Sequence, residues 1–187
     1  MTEHDLPSLY DHLWARLERA TFEGKDPWRW PMLATASPAG GPAGRIVVLR
    51  KISRAETTLT IYTDTRSEKV HQIEAIARAA LVFFDPTSME QLRATGTVSL
   101  LKEGDRWRSL WDEIREGQDT DYRRRSAPGT PIPSPSAAAS TPDGPPHFAV
   151  IDLHVDHFDW LSIDRDGHRR AHLFPSTGKR QATWVVP

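Results

Sequence analysis

Two short segments, residues 45–50 and 61–69, contain side chains of the types that bind anions. The first reads Arg-Ile-Val-Val-Leu-Arg, and the second reads Ile-Tyr-Thr-Asp-Thr-Arg-Ser-Glu-Lys. The β-branched run predicts a strand, whereas the second segment predicts a strand followed by a turn that opens a helix. Cations beside a helix start suit a phosphate group, because backbone N–H groups point out of the first helical turn. We therefore expect an anion site here.

The helix start itself is predicted from a capping box. Thr65 and Glu68 have the required spacing, and the helical pattern that follows runs to Ala77. Ser67 and Lys69 would add a hydroxyl and a cation to the free N–H groups, and the neighbouring strand would add a second cation. The alternative is a capped surface helix with solvated charges, since most capping boxes carry no ligand.

Composition limits the class of protein. The chain has 187 residues, 38% of them hydrophobic, which is enough for one domain with a core. A formal charge of -1 gives no bulk attraction to nucleic acid or anionic lipid. The absence of cysteine excludes disulfides and thiolate chemistry. The longest apolar run, 79–84, is too short to span a membrane, and the polar N-terminus has no signal-peptide core, so we expect a cytoplasmic protein.

The elements that must position these residues are predicted from apolar periodicity. Helices are expected over about 7–23, 65–77 and 104–125, and strands near 31–36, 44–52, 58–63, 79–84, 92–101, 148–153, 155–163 and 168–174. Consecutive strands of this number predict a mainly β, α+β fold, in which an antiparallel closed or split barrel avoids long exposed edges. We expect a single domain over 1–187, with a mobile Pro-, Ser- and Ala-rich loop at about 126–147.

These segments resemble the pyridoxamine 5'-phosphate oxidase-like family of FMN-binding split barrels from about Trp30 to Pro187. The family strand Arg-x-Val-Leu-Leu-Lys is matched by residues 45–50, with arginine in the final place. A Tyr-Thr pair and a Ser-x-Lys sequence follow in the family. Further matches are a flavin-contacting glutamine and a tryptophan followed ten residues later by an arginine. The corresponding residues are Tyr62, Thr63, Ser67, Lys69, Gln91, Trp160 and Arg170.

The resemblance implies a homodimeric FMN-dependent oxidoreductase that acts on an unidentified small molecule, with each flavin bound between two protomers. Arg45, Ser67 and Lys69 would hold the FMN phosphate. The backbone of Ile46, Val47, Val48 and Leu49 would line the ring together with Tyr62 and Thr63, and Gln91, Trp160 and Arg170 would close the site. Arg50 would bind an anionic group of the substrate, and His168 would be a proton donor whose charge changes near neutral pH.

One departure from the family concerns the substrate. Between the tryptophan and the final arginine, the oxidase places an arginine and a histidine on its substrate, whereas this chain has Asp166 and His168. An acid would repel a phosphorylated substrate, so we expect little activity on pyridoxamine 5'-phosphate. A non-catalytic flavin- or haem-binding protein is therefore the alternative interpretation.

Other kinds of site are less well supported. Residues 123–125 are three arginines, but a nucleic-acid-binding barrel is disfavoured by the near-neutral net charge. His154 and His157 lie three positions apart in a predicted strand and would face opposite sides, so no metal site is expected. No catalytic triad or carboxylate pair stands out.

Overall fold

The computed structural model describes residues 5–114, 119–139, 144–165, 167–175 and 181–187. It contains nine strands, paired antiparallel throughout, and three α-helices within those ranges. The prediction of a mainly β, α+β split barrel is confirmed. None of the described helices has both the length and the apolar character needed to cross a lipid bilayer.

The helices are α1 (Leu6–Phe22), α2 (Glu68–Ala75) and α3 (Asp105–Asp112). The strands are β1 (Met32–Ala36), β2 (Pro42–Ile46), β3 (Leu49–Ser53), β4 (Thr58–Asp64), β5 (Arg78–Asp85), β6 (Glu90–Leu101), β7 (Phe148–Ser162), β8 (Arg169–Phe174) and β9 (Gln181–Val185). Short 3-10 turns lie at Pro27–Arg29, Asp119–Tyr122 and Pro135–Ala137.

The long strand β7 organises the sheet. The strand order is β2-β1-β5-β6-β7-β4-β3, and β8 and β9 continue from β7. One edge of β7 pairs with β6 along its length, while the other edge pairs first with β4 and then with β8. A register shift after Thr95 interrupts the β6–β7 ladder. There Gly96 approaches β7 so closely that a Cβ atom would lie 1.9 Å from the His154 carbonyl oxygen, so only glycine fits.

The core lies between the inner face of the sheet and α1. Leu9, Leu13, Trp14 and Leu17 form the buried stripe of α1, as the helical periodicity predicts. The indole of Trp14 packs edge-on against Phe158 of β7, with ring centroids 5.6 Å apart. Each such side chain contributes about 1.5–3 kcal/mol when it is removed from water.

Two strand predictions were wrong in their boundaries. Residues 44–52 were predicted as one strand, but β2 pairs with β1 whereas β3 pairs with β4. The chain leaves the first ladder at Val47, whose N–H donates to the Pro31 carbonyl (2.9 Å). Conversely, the predicted strands 148–153 and 155–163 are the single strand β7, and β9 was not predicted.

The third predicted helix is shorter than expected. It was predicted over 104–125, but α3 ends at Asp112 and Asp119–Tyr122 forms a 3-10 turn. Trp107 and Trp111 pack with Tyr122 around the buried ring of Phe148, and the Trp107 indole N–H donates to the Phe148 carbonyl (3.0 Å). These partly buried tryptophans therefore pack against a second, smaller apolar cluster.

Arg66 holds the described part of the Pro-rich loop against the start of α2. Its guanidinium donates to the Asp64 carboxylate (2.7 and 3.0 Å) and to the carbonyl oxygens of Arg124 (3.0 Å) and Arg125 (3.3 Å). The Arg124 side chain in turn donates to the Ala138 carbonyl (3.1 Å). This part of the loop, which was predicted to be mobile, therefore has specific polar contacts with the folded domain.

Candidate functional site

Four of the predicted residues, Arg45, Thr63, Ser67 and Lys69, lie together; we call them the phosphate cluster. Arg45 comes from β2, Thr63 from the end of β4, and Ser67 and Lys69 from the start of α2. The Lys69 ammonium donates to the Thr63 hydroxyl (3.0 Å), and the Thr63 and Ser67 hydroxyl oxygens are 3.2 Å apart. The strand β2 and the consecutive elements β4 and α2 therefore place two cations and two hydroxyls in one region.

Two residues that the sequence interpretation missed hold Arg45 in place. Its guanidinium donates to the Thr35 hydroxyl (2.6 Å) and to the side-chain oxygen of Gln72 (2.9 Å). The Thr35 hydroxyl in turn donates to the same Gln72 oxygen (2.5 Å). The only sequence signal for Gln72 is its position four residues after Glu68, where a helix brings the two side chains together.

The charges of the phosphate cluster are not neutralised locally. Within the described ranges, neither Arg45 nor Lys69 forms an ion pair with a carboxylate, although the charge of Glu68 acts on both and that of Asp64 acts on Lys69. Burial lowers the pKa of Lys69, and the charge of Arg45 lowers it further. Burial also lowers the pKa of Arg45. Two adjacent, partly desolvated cations of this kind favour a bound anion.

The predicted capping box is wrong. The helix α2 begins at Glu68, and its N-cap is Ser67, whose side chain makes no capping hydrogen bond. The Ser67 hydroxyl instead donates to the Asp64 carbonyl (2.8 Å), and the Thr65 N–H donates to the His147 carbonyl (2.7 Å). Among the described residues, no side chain accepts a hydrogen bond from the N–H groups at the start of this helix.

Arg50 and Tyr62 lie apart from the phosphate cluster, in a cleft that we call the Arg50 cleft. Tyr62 and Thr63 are consecutive in β4, so their side chains point to opposite faces. The Arg50 guanidinium carbon is 5.6 Å from the Tyr62 ring centroid, and the charge of Arg50 also acts on the nearby Tyr122 phenol. Burial raises the pKa of Tyr62 to about 12. The cleft is also lined by Thr21, Arg29, Lys51, Glu113 and Ile114.

Gln91 and Arg170 lie in one row across β6, β7 and β8, because both are opposite Leu161. The guanidinium of Arg170 donates twice to the buried carboxylate of Asp159 (2.8 and 2.7 Å), which also accepts from Arg93 (2.6 Å). Burial opposes ionisation of Asp159, but the hydrogen bond from Arg170 and the nearby positive charges keep its pKa below the usual value. Gln91, Arg93, Asp159 and Arg170 form what we call the outer-face group.

The strand registers place the phosphate cluster and the outer-face group on opposite faces of the sheet. Residues directly opposite each other in neighbouring strands share a face. Arg45 shares the inner face with a buried row, whereas Ile46 shares the outer face with a row that includes Arg93 and Asp159. The inner row is Leu33, Leu81, Ala94 and Phe158, and the outer row is Met32, Val82, Arg93 and Asp159. One protomer therefore does not bring the two sets together.

Trp160 and His168 are not placed as expected within the protomer. Trp160 is only 1% exposed on the inner face, and its indole N–H donates to the Glu90 carboxylate (3.0 Å), so within the protomer its side chain packs in the core. His168 is exposed in the turn between β7 and β8, where its Nδ1 accepts from the Asp164 N–H (3.2 Å). Asp166 lies outside the described residues.

The segment expected along the flavin ring crosses between the two ladders. Ile46, at the end of β2, is 64% exposed, and Leu49, at the start of β3, is fully buried. Val47 and Val48, which connect the two strands, are partly buried. The backbone of this crossing therefore runs from the sheet surface into the core.

Comparison with known proteins agrees with this architecture. The family model described as pyridoxamine 5'-phosphate oxidase matches residues 30–159. The chain therefore belongs to the pyridoxamine 5'-phosphate oxidase family. Among curated relatives, the pyridoxine/pyridoxamine 5'-phosphate oxidase of Rubrobacter xylanophilus is 30% identical over 56% of this chain and 56% of its own length. The same enzyme of Microcystis aeruginosa is 29% identical over 73% of this chain and 68% of its length, whereas the match to that of Coxiella burnetii covers 36% of the relative.

Solved structures share the fold. A pyridoxamine 5'-phosphate oxidase-related, FMN-binding protein from Nostoc punctiforme has a TM-score of 0.78 and 24% identity, with complete coverage of both chains. PhzG from Burkholderia lata, solved in complex with tetrahydrophenazine-1-carboxylic acid, has a TM-score of 0.75 and 16% identity, covering 99% of this chain and 94% of its own. At these identities the likeness defines the fold and does not assign a substrate.

Proposed function

We propose that this protein binds FMN and acts as an FMN-dependent oxidoreductase. The observation that carries the proposal is the phosphate cluster, in which Arg45 and Lys69 lie close together without a carboxylate partner among the described residues. An FMN phosphate would receive charge-assisted hydrogen bonds from both cations, and the Ser67 hydroxyl and the start of α2 would add neutral donors. Family membership and the FMN-binding relative of the same fold support this assignment.

The remaining predicted residues would orient the flavin and exclude water. The backbone from Ile46 to Leu49 would lie along the ring, next to Thr63 and to the β4 backbone at Tyr62. When bound, the flavin supplies the redox chemistry, and the protein supplies binding, orientation and charge. Arg45 and Lys69 fit the phosphate end of such a cofactor because their hydrogen-bond partners among the described residues are neutral.

The outer-face group supports a site built from two protomers. Gln91 and Arg170 are proposed flavin contacts, but they lie on the opposite face of the sheet from Arg45. A second copy of the chain would allow one flavin to contact the phosphate cluster of one protomer and the outer-face group of its partner. We therefore propose a homodimer with the flavin at its interface.

The Arg50 cleft is the proposed binding place for an anionic group of the substrate. Arg50 lies between two aromatic residues, Tyr62 and Tyr122, and a guanidinium can bind a carboxylate or phosphate through two hydrogen bonds. His168 would donate a proton to the substrate if the partner protomer brings the β7–β8 turn to the cleft. The identity of the substrate is not assigned.

A non-catalytic flavin-binding protein is the second candidate. It is favoured by the exposed position of His168, which has no contact with the Arg50 cleft inside the protomer. Such a protein would bind FMN through the same phosphate cluster but would not catalyse the oxidation or reduction of a substrate.

The first test is the absorption spectrum of the purified protein, before and after addition of FMN. We expect bound flavin bands, followed by bleaching of these bands when a substrate is supplied from a panel of small reduced molecules under anaerobic conditions. Bound flavin without bleaching by any member of the panel would favour the non-catalytic candidate. Failure to bind FMN at micromolar concentrations would contradict the proposed function.

A further inference from the structure

Gln72 has an unusual role for a buried amide. It lies on α2 with 2% exposure, and its side-chain oxygen accepts from the Arg45 guanidinium (2.9 Å) and the Thr35 hydroxyl (2.5 Å). Its side-chain N–H donates to the Glu68 carboxylate (2.7 Å). These three contacts fix the amide so that the oxygen faces Arg45 and the nitrogen faces away from it.

The choice of an amide matters because it is neutral. Other arginines that hold positions in this fold do so through carboxylates: Arg16 pairs with Asp85, and Arg170 pairs with Asp159. A carboxylate at the place of Gln72 would hold the Arg45 guanidinium as well, but it would also neutralise its charge. Gln72 and Thr35 fix the direction of Arg45 and leave the positive charge available to an anion.

We propose that Gln72 is a positioning residue for the phosphate cluster: it directs the Arg45 guanidinium toward the bound phosphate while keeping that guanidinium uncompensated. This inference rests on the proposed FMN function. It assigns to Gln72 the selectivity of the site for a phosphorylated flavin over the same flavin without a phosphate, although Gln72 itself need not touch the ligand.

The test compares FMN and riboflavin binding in Gln72→Glu, which has nearly the same shape as the wild type. The introduced carboxylate would pair with Arg45, so we expect FMN affinity to fall by about tenfold or more, on the scale of one lost charge-assisted hydrogen bond. Riboflavin carries no phosphate, so its affinity should stay within about twofold of the wild-type value, because no charge-dependent contact is lost. The unfolding temperature should fall modestly, because the new carboxylate gains Arg45 as a partner but can no longer donate to Glu68 and meets its negative charge.

Two further variants separate charge from structure. His71→Glu adds the same charge at the adjacent, exposed position of α2, where it cannot contact Arg45, and should reduce FMN affinity by less than about threefold because exposed charges are screened. Gln72→Met removes the acceptor with little change in volume, so it should lower FMN affinity and leave riboflavin affinity unchanged.

The outcomes distinguish this inference from the proposed function. A wild-type protein that does not bind FMN would overturn the proposed function, whereas one that binds FMN and riboflavin equally would overturn the role of Gln72 together with the phosphate assignment. A wild-type preference for FMN that survives in Gln72→Glu would overturn only the role of Gln72. An equal loss of affinity for FMN and riboflavin in both Gln72→Glu and Gln72→Met would also overturn the role of Gln72, because a purely structural role would produce that pattern.

Discussion

Lys69 and Arg45 differ from most other partly buried cations of this chain in the kind of partner they have. Arg16, Arg93 and Arg170 all contact carboxylates, whereas Lys69 donates to a hydroxyl. Arg45 likewise has only neutral acceptors. A cation held in this way costs stability when no anion is present, since burial disfavours the charge. Binding of a phosphate would remove that cost.

Replacement of Lys69 tests the phosphate assignment at a single residue. In Lys69→Ala we expect a loss of about 1.5–3 kcal/mol in FMN binding, the range of one charge-assisted hydrogen bond. Riboflavin binding should change much less, and isothermal titration with both ligands measures the difference. Lys25→Ala is the matched control, because Lys25 is exposed after α1 and belongs neither to the phosphate cluster nor to the Arg50 cleft. Equal losses for FMN and riboflavin in Lys69→Ala would refute the assignment.

A second residue-scale prediction concerns the substrate. We expect the FMN-loaded protein to oxidise pyridoxamine or pyridoxine 5'-phosphate poorly or not at all. The reason is Asp166, which by its position in the sequence corresponds to a substrate-binding arginine of pyridoxamine 5'-phosphate oxidase. Misplacement of a substrate by about 1 Å can cost about a hundredfold in rate. Formation of pyridoxal 5'-phosphate, followed by absorbance, measures the activity. Rapid formation by the unmodified protein would show that the alignment of the C-terminal hairpin is wrong.

Residues of the phosphate cluster could be found from sequence because strand, turn and helix follow one another closely there. Gln72 and Thr35 could not, because their role depends on the packing of α2 against β1, which local periodicity does not show. The resemblance implied that Trp160 and Arg170 close one site, but local sequence does not show that these two residues of the β7–β8 hairpin lie on opposite faces of the sheet.

Among the elements, α1 and the β5–β6 turn are joined by a buried charge network. Arg16 of α1 contacts Asp85 and Glu90 at the two ends of the turn, and the ring of Trp28 lies 4.2 Å from the Arg16 guanidinium carbon. Glu90 also accepts from the Trp160 indole (3.0 Å). This network holds the strand on which the adjacent residue, Gln91, lies.

The network predicts an acid-sensitive contribution to stability. Burial raises the pKa of Glu90, but hydrogen bonds from His12 and Trp160 and the charge of Arg16 outweigh burial and lower the pKa to about 2. A group with a lowered pKa stabilises the fold fully above its unfolded pKa of about 4.3 and loses this contribution as the pH falls toward its folded pKa. At neutral pH the contribution is at most about 3 kcal/mol.

Urea unfolding of wild type and Glu90→Gln at several pH values measures this contribution. We expect Glu90→Gln to be less stable at pH 7 and the difference from wild type to shrink between pH about 4.3 and about 2. Glu103→Gln, at an exposed position, should show no such trend. A difference for Glu90→Gln that is constant across this range would contradict the role of the network.

The fold class was predictable because alternating apolar residues mark most strands, but the boundaries between ladders were not. Residues 44–52 contain the β-branched run 46–48 and no proline, and the change of partner from β1 to β4 near Val47 depends on contacts between strands that are distant in sequence. The opposite error at β7 arose because two strand patterns were assigned separately, although β6 pairs with both halves.

At the scale of the whole molecule, the opposite placement of the phosphate cluster and the outer-face group is the central feature. Arg45 faces inward and Arg170 faces outward from the same sheet. A flavin that contacts both requires two copies of the chain. Binding of FMN should then favour the dimer by mass action, since a ligand that binds only the assembled form stabilises it.

The most direct test of this account is complementation between two variants that are each defective in FMN binding. Lys69→Ala alters the phosphate cluster, and Arg170→Ala alters the outer-face group. When the two are co-expressed in equal amounts, random pairing gives heterodimers in which one site is intact, so about a quarter of the wild-type FMN sites should return. Co-expression of Lys69→Ala with Arg45→Ala is the control and should restore none, because both changes affect the same cluster. Recovery only in the first mixture is the predicted result; the absence of recovery there, or full FMN binding by a monomer, would contradict the two-protomer site.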